Sequence, residues 1–144
     1  MKKVNVNVVN KSKNPLPKYE TIGAAGMDLS SNEDIEIAPS ASVAVKTGLF
    51  LEIPEGYEVQ IRPRSGLSAK TSMRVANSPG TIDSDYRGEL CILMWNTGSI
   101  SYKINAGDRI AQAVLCEVPQ IEWNQVFELC STERGVNGFG STGK

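Results

Sequence analysis

Histidine is missing from all 144 residues of this chain. That absence removes the Ser-His-Asp and Cys-His arrangements for nucleophilic catalysis, and any histidine-ligated metal. An enzyme built from this sequence takes its base from Asp or Glu, and any metal it uses is a hard cation held by oxygen. Cysteine is scarce: Cys91, Cys116 and Cys130 make an odd number with no Cys-x-x-Cys pair. This argues against a disulfide framework and against a zinc site. Cys91 and Cys116 lie in apolar runs and read as small buried hydrophobes. No apolar stretch approaches the length of a membrane span. The opening Met1-Lys2-Lys3 resembles the head of a signal peptide, but Asn5 and Asn7 interrupt the apolar run that would have to follow. The expectation is a soluble, cytoplasmic protein that does not engage a membrane. Excess charge is lacking too, with 15 Lys and Arg against 16 Asp and Glu for a formal net charge of -1. The chain as a whole therefore has no attraction for nucleic acid, and an anionic ligand must be held by local positive charge.

What remains is one domain's worth of chain. The apolar period is mostly two. Val4, Val6 and Val8 alternate with Asn5 and Asn7, and Val43, Val45, Leu49, Leu51 and Ile53 continue in the same manner. Tyr57, Val59 and Ile61 alternate again, and the runs 90–95, 100–104 and 110–118 are rich in β-formers. Turn residues separate the runs. Pro54-Glu55-Gly56 reads as a tight hairpin, and Asn77-Ser78-Pro79-Gly80, Asn96-Thr97-Gly98-Ser99 and Asn105-Ala106-Gly107-Asp108 as further breaks. Many short strands at this spacing predict an all-β sandwich, jelly roll or barrel. Helix is expected only around 67–75.

Several segments carry candidate chemistry. Arg62-Pro63-Arg64-Ser65-Gly66-Leu67-Ser68 follows a strand and holds two guanidiniums, a hydroxyl and a glycine, the parts of a phosphate cradle. Taken alone it reads first as a solvated turn with two surface arginines. Gly80-Thr81-Ile82-Asp83-Ser84-Asp85-Tyr86-Arg87-Gly88 places two carboxylates on one face of an extended segment, where one could activate water. Taken alone it is an acidic hairpin with a structural tyrosine. Gly23-Ala24-Ala25-Gly26-Met27-Asp28-Leu29 permits close approach, and Asp28 could serve a site or cap a turn. Gly107-Asp108-Arg109-Ile110-Ala111-Gln112 reads first as a turn entering a core strand. The tail from Arg134 to Gly143 has four glycines in ten residues. It also contains the pattern G-x-x-x-x-G-K at 138–144. With no following Ser/Thr or helix, that pattern lacks the context of a phosphate-binding loop. A flexible flap fits better, because Phe139 is an aromatic in a stretch too small to bury one.

These five segments, AAGMDL at 24–29, RPRSGLS at 62–68, GTIDSDYRG at 80–88, GDRIAQ at 107–112 and RGVNGFGSTG at 134–143, resemble in order the five motifs of the trimeric dUTPase family. The resemblance implies a jelly-roll-like β-sandwich subunit over 1–130, a flexible glycine-rich arm over 131–144, and a homotrimer with shared active sites. It implies hydrolysis of dUTP to dUMP and pyrophosphate with Mg²⁺, which keeps uracil out of DNA and supplies dUMP for thymidylate synthesis.

Carried over position by position, Asp83 resembles the carboxylate that deprotonates the attacking water. Asp28 resembles the aspartate that supports the metal and water arrangement, with Mg²⁺ held mainly by triphosphate and water and by no protein group directly. Arg64, Ser65 and Gly66 resemble the phosphate-binding turn, and Gln112 the glutamine that reaches the phosphates. Asn77 and the backbone of Gly80, Thr81, Ile82 and Asp83 resemble the uracil reader, and Tyr86 the residue against the deoxyribose. Arg134 is expected at the terminal phosphates, Phe139 over uracil, and Gly140, Ser141 and Thr142 around the phosphates. The sequence departs from the common pattern at Asn137, where many members have glycine, at Ser68, and at Thr71, where histidine is frequent. No reacting group is lost. The alternatives are a dCTP deaminase-like enzyme of the same fold and a catalytically silent β-sandwich that binds partner proteins.

Overall fold

The computed structural model describes residues 2–138. They form ten strands and one short helix: β1 (Asn7–Asn10), β2 (Met27–Ser30), β3 (Ile35–Ile37), β4 (Ser42–Glu52), β5 (Tyr57–Arg62), α1 (Ser65–Lys70), β6 (Met73–Val75), β7 (Gly80–Ile82), β8 (Glu89–Asn96), β9 (Tyr102–Ile104) and β10 (Arg109–Glu117). One four-stranded sheet has the order β1-β4-β8-β6 and the other β2-β10-β5-β7, with β3-β9 as a separate pair. All recorded strand pairings are antiparallel. The expectation of a nearly all-β chain holds.

Side chains alternate in burial along the strands, even where the sequence is continuously apolar. Along β8, Leu90, Ile92, Met94 and Asn96 are buried, while Leu93 and Trp95 between them are exposed. The inward side chains meet Leu29, Ile61, Ala111 and Ala113 from the opposite sheet and Ile37 and Ile104 from the small pair in one core. Face-to-face packing of two pleated sheets is how such alternation buries its apolar half. Asn96 is one of three buried polar residues among those described, with Ser31 and Thr47. Its amide donates to the carbonyls of Ile37 (3.0 Å) and Ile100 (2.7 Å), and its oxygen accepts from Ser72 Oγ (2.7 Å) and Gly98 N (3.0 Å). No buried side-chain nitrogen or oxygen among the described residues lacks a partner.

Two local expectations are corrected. Pro54-Glu55-Gly56 does turn the chain, with Tyr57 N–H donating to Pro54 O at 3.2 Å. It does not close a hairpin, because β4 pairs with β1 and β8 whereas β5 pairs with β10 and β7. The turn is a corner that carries the chain from one sheet to the other. The helix predicted over 67–75 stops at Lys70. The Thr71 N–H and hydroxyl both bond the Leu67 carbonyl, and Met73–Val75 then pairs with β8. A β-branched residue and a waiting sheet edge outweigh the weak helical pattern there. Among the described residues no helix is long and apolar enough to cross a membrane.

Candidate functional site

Three of the singled-out segments converge on one face of the second sheet. Gln112 on β10 lies in register between Asp28 on β2 and Arg62 on β5. Arg64 sits just beyond β5 and turns back. Its Nε donates to Asp28 Oδ1 at 2.8 Å, and its Nη1 donates to the Arg109 carbonyl at 2.9 Å. Arg109 Nη1 takes the other carboxylate oxygen, Asp28 Oδ2, at 3.0 Å. Asp28 and Arg64 are both about a quarter exposed, at 23% and 25% of their side chains. The pair is therefore partly shielded from solvent screening. Gln112 Nε2 donates to the Pro63 carbonyl at 2.9 Å, which ties β10 to the turn that carries Arg64. Gly26 makes room for this amide: a β-carbon there would stand 2.5 Å from Gln112 Oε1.

Ser65 and Gly66 open α1 and are exposed. The preceding Arg64 is extended and provides no side-chain cap, so the first-turn N–H groups face outward without a side-chain partner. Nothing lies within 4 Å of a β-carbon built on Gly66. An open groove of about 620 Å³ runs past Arg62, Ser65, Ser68, Ser78 and Gln112. Guanidinium, hydroxyl, amide and free backbone N–H groups on one open surface suit an anion with several oxygens.

The segment holding Asp83 lies elsewhere. Its strand β7 is the outer strand of the sheet, paired on one side with β5 through Val59↔Ile82, Gln60↔Thr81 and Ile61↔Gly80. One row of its backbone groups is left over. Asn77 packs against it, its Nδ2 lying 3.2 Å from where a Gly80 β-carbon would be. Asp83, just past β7, is exposed, and its carboxylate has no hydrogen-bond partner among the described residues. Tyr86 N–H donates to Asp83 O at 3.2 Å, and Tyr86 Oη donates to the Glu89 carbonyl at 3.1 Å. Thr81, Ile82, Asp83, Tyr86 and Glu89 line a second groove of about 160 Å³.

The two grooves share no lining residue. Antiparallel register places Asp83 beside the Glu58 end of β5, whereas Arg64 follows its Arg62 end. Four residues of strand separate those ends, roughly 13 Å. Within one chain the structure thus brings together Asp28, Arg64 and Gln112, places Gly80 and Asn77 beside the Arg62 end of β5, and sets Ile82, Asp83 and Tyr86 toward its other end, with Thr81 between. Arg134 joins neither group: its Nε donates to the Asn137 carbonyl at 3.0 Å inside its own turn. Phe139, Gly140, Ser141 and Thr142 lie outside the described residues. Among the described residues no three acidic or Cys side chains converge as a metal-binding group.

Two participants were given no role in the reading of the sequence: Arg109, within the segment 107–112, and the Glu89 carbonyl. Arg109 had one signal, the adjacent apolar pair Ile110-Ala111 that breaks strand alternation.

This geometry has relatives. A family model described as dUTPase matches residues 12–143. The chain belongs to the dUTPase family. It is 51% identical to the deoxyuridine 5'-triphosphate nucleotidohydrolase of Fusobacterium nucleatum, covering 100% of both chains. It is 49% identical to that of Finegoldia magna, covering 97% of this chain and 99% of the relative. Among solved structures, the dUTPase of Staphylococcus bacteriophage 80alpha with dUpNHpp matches with a TM-score of 0.90 at 31% identity, over 99% of this chain and 100% of that one. A variant of the dUTPase of S. aureus phage phi11, in which a structural Mg(II) ion is coordinated, matches with a TM-score of 0.81 at 28% identity, over 89% of this chain and 100% of that one.

Proposed function

We propose that this chain hydrolyses dUTP to dUMP and pyrophosphate, keeping uracil out of DNA and supplying dUMP. The observation that carries the reading is the full-length likeness to a dUTPase holding dUpNHpp, with Ser65 and Gln112 lining one open groove and Thr81, Ile82, Asp83 and Tyr86 lining another.

The phosphate groove takes the triphosphate, with the first-turn N–H groups of Ser65 and Gly66 and Gln112 as donors, and with Arg64 beside it between the lining residues Pro63 and Ser65. The leftover edge of β7, with Asn77, reads uracil through its N–H and C=O groups and is too close to admit a methyl. Tyr86 packs on the deoxyribose and excludes a 2′-hydroxyl. Asp83 accepts a proton as a water oxygen bonds to the α-phosphorus, and the bridging oxygen to the β-phosphorus departs with pyrophosphate. Positioning and charge stabilisation supply most of the rate. Both oxygens of Asp28 already carry guanidinium donors, so its chemistry suits a place beside a triphosphate-held Mg²⁺ rather than direct ligation. Mg²⁺, when bound, would neutralise charge on the triphosphate.

The separation of Asp83 from Arg64 along β5 supports a shared site. One chain presents its base-reading groove to the phosphate groove of another, as in a homotrimer of jelly-roll-like subunits. Beyond β10 the chain makes no further strand or helix among the described residues, and Ile121, Trp123, Phe127 and Leu129 are exposed. This suits a body followed by an arm over 131–144 that brings Arg134 and the segment 139–142 to a site on the assembly. A cytoplasmic location is part of the same proposal.

The deciding experiment is pyrophosphate release with Mg²⁺ from dUTP beside dTTP, UTP and dCTP. Release from dUTP alone is expected. No release from a folded sample, or ammonia from dCTP, would overturn the reading. Sedimentation should give three times the mass of one subunit.

A further inference from the structure

The chain breaks its own strand pattern at Arg109. Strand β10 pairs with β2 through Gln112↔Asp28 and Ala111↔Leu29, and then the register shifts so that Arg109, not Ile110, faces Ser30. Two residues of β10 oppose one of β2 there, which is a β-bulge. Its effect follows from strand parity. Without the shift, Arg109 would point with Ala111 into the core and Ile110 outward with Gln112. With it, Ile110 and Ala111 are both buried, at 2% and 0% exposure, and Arg109 emerges on the face of Asp28 and Gln112. The bulge therefore delivers the second guanidinium to Asp28.

We propose that Arg109 is a positioning residue that acts through Asp28 to keep Arg64 available to the phosphates. This deepens the functional reading above and rests on it. Arg64 spends Nε on Asp28 and Nη1 on the Arg109 carbonyl, so its guanidinium plane is fixed and its Nη2 edge is uncommitted among the described residues. Arg64, Arg109 and Asp28 carry a net charge of +1 together. Remove the Arg109 charge and the cluster becomes neutral. Arg64 is then held by a carboxylate with no other cationic partner, and a polyanion loses the attraction that drew it. Arg109 itself is half exposed at 54% and makes its bond to the carboxylate, which places its influence on charge and orientation.

The test measures affinity for dUpNHpp and the steady-state constants for dUTP in wild type, Arg109→Gln, Arg109→Lys and the double variant Asp28→Asn/Arg109→Gln. Arg109→Gln should weaken dUpNHpp binding about tenfold at low salt and less at high salt, the size expected for one unit charge at a partly exposed site. KM should rise with kcat changed by less than about threefold, and dUMP binding should move less than dUpNHpp binding. Arg109→Lys should recover most of the affinity. The double variant restores the net charge of +1 and should recover dUpNHpp affinity even though its turnover is low. Wild-type affinity in Arg109→Gln overturns the proposal. So does a double variant as weak as the single one, because Arg109 would then act independently of Asp28. A lower melting temperature and active fraction with KM unchanged marks a structural role and also overturns it. If wild type neither binds dUpNHpp nor hydrolyses dUTP, the functional reading falls first and this inference with it.

Discussion

The hydroxyl end of Tyr86 occupies the space where a β-carbon on Gly88 would stand. The ring lies back over that glycine and its hydroxyl is anchored on the Glu89 carbonyl at 3.1 Å. The nearest atoms are all at the far end of the Tyr86 side chain. A methyl at position 88 would therefore move the tyrosine and leave the backbone in place. Gly88→Ala should raise UTP turnover relative to dUTP by about tenfold, the scale of a single steric contact in substrate choice. Its melting temperature should stay close to that of wild type. Unaltered UTP discrimination would remove Tyr86 from the sugar site.

Asp83 is exposed, and among the described residues its carboxylate has no hydrogen-bond partner, which suits the proposed role of proton acceptor. Asp83→Asn should lower kcat by about 10²- to 10⁴-fold, the usual contribution of a general base. Binding of dUpNHpp should change by only a few-fold. Single-turnover rates like those of wild type would sink the assignment.

Gln112 keeps its place because Gly26 has no side chain. Gly26→Ala would press on Gln112 Oε1 at 2.5 Å and on Val114 and the Ala113 carbonyl at 3.2 and 3.3 Å. The amide can swing away, but only by giving up its bond to the Pro63 carbonyl. KM for dUTP should rise several-fold, and kinetic assays of Gly26→Ala beside Gln112→Ala would test the link. Equal KM in wild type and both variants would dismiss Gln112 from phosphate binding.

Asn96 joins four groups from three segments. Asn96→Ala leaves two carbonyls and two donors without it, at a cost of about 2 to 4 kcal/mol. Urea denaturation should show a lower midpoint with an unchanged slope. An unchanged midpoint would mean that water replaces the amide fully.

Cysteine reactivity should divide by position. Burial pushes the Cys91 thiol above its ordinary value of 9.0, and the neighbouring Glu89 carboxylate adds to the rise. The reactive form is the thiolate. Cys130 is exposed and should be alkylated first near pH 8, with Cys91 lagging behind it and catching up only as the pH rises. The linkage has the same sign. The folded form holds the neutral thiol more tightly than the unfolded one, so this contribution to stability is full below pH 9 and is lost as pH rises through the raised value. Mass spectrometry of iodoacetamide adducts across that range would check both. Equal rates at the two sites would contradict the burial of Cys91.

Much of this molecule was determined by local pattern. Period-two alternation in 43–53 and 57–61 is enough to make strands with one buried face, because a pleated chain sends successive side chains to opposite sides, whereas the continuously apolar run 90–95 marks a strand without saying which face is buried. The absence of histidine left carboxylates as the candidate base. The order of five short segments pointed to the family, and residues such as Arg64, Asp83 and Gln112 could be named from it. Tertiary structure decided what depends on partners far along the chain. Pro54-Glu55-Gly56 has the composition of a hairpin turn, yet it is a corner between sheets, since pairing is chosen by strands distant in sequence. Arg109 faces Asp28 only because β10 slips by one residue against β2, and a slip is a property of two strands together. Asp83 and Arg64 lie near each other in sequence and at opposite ends of β5 in space, because an antiparallel neighbour carries the chain back the way it came.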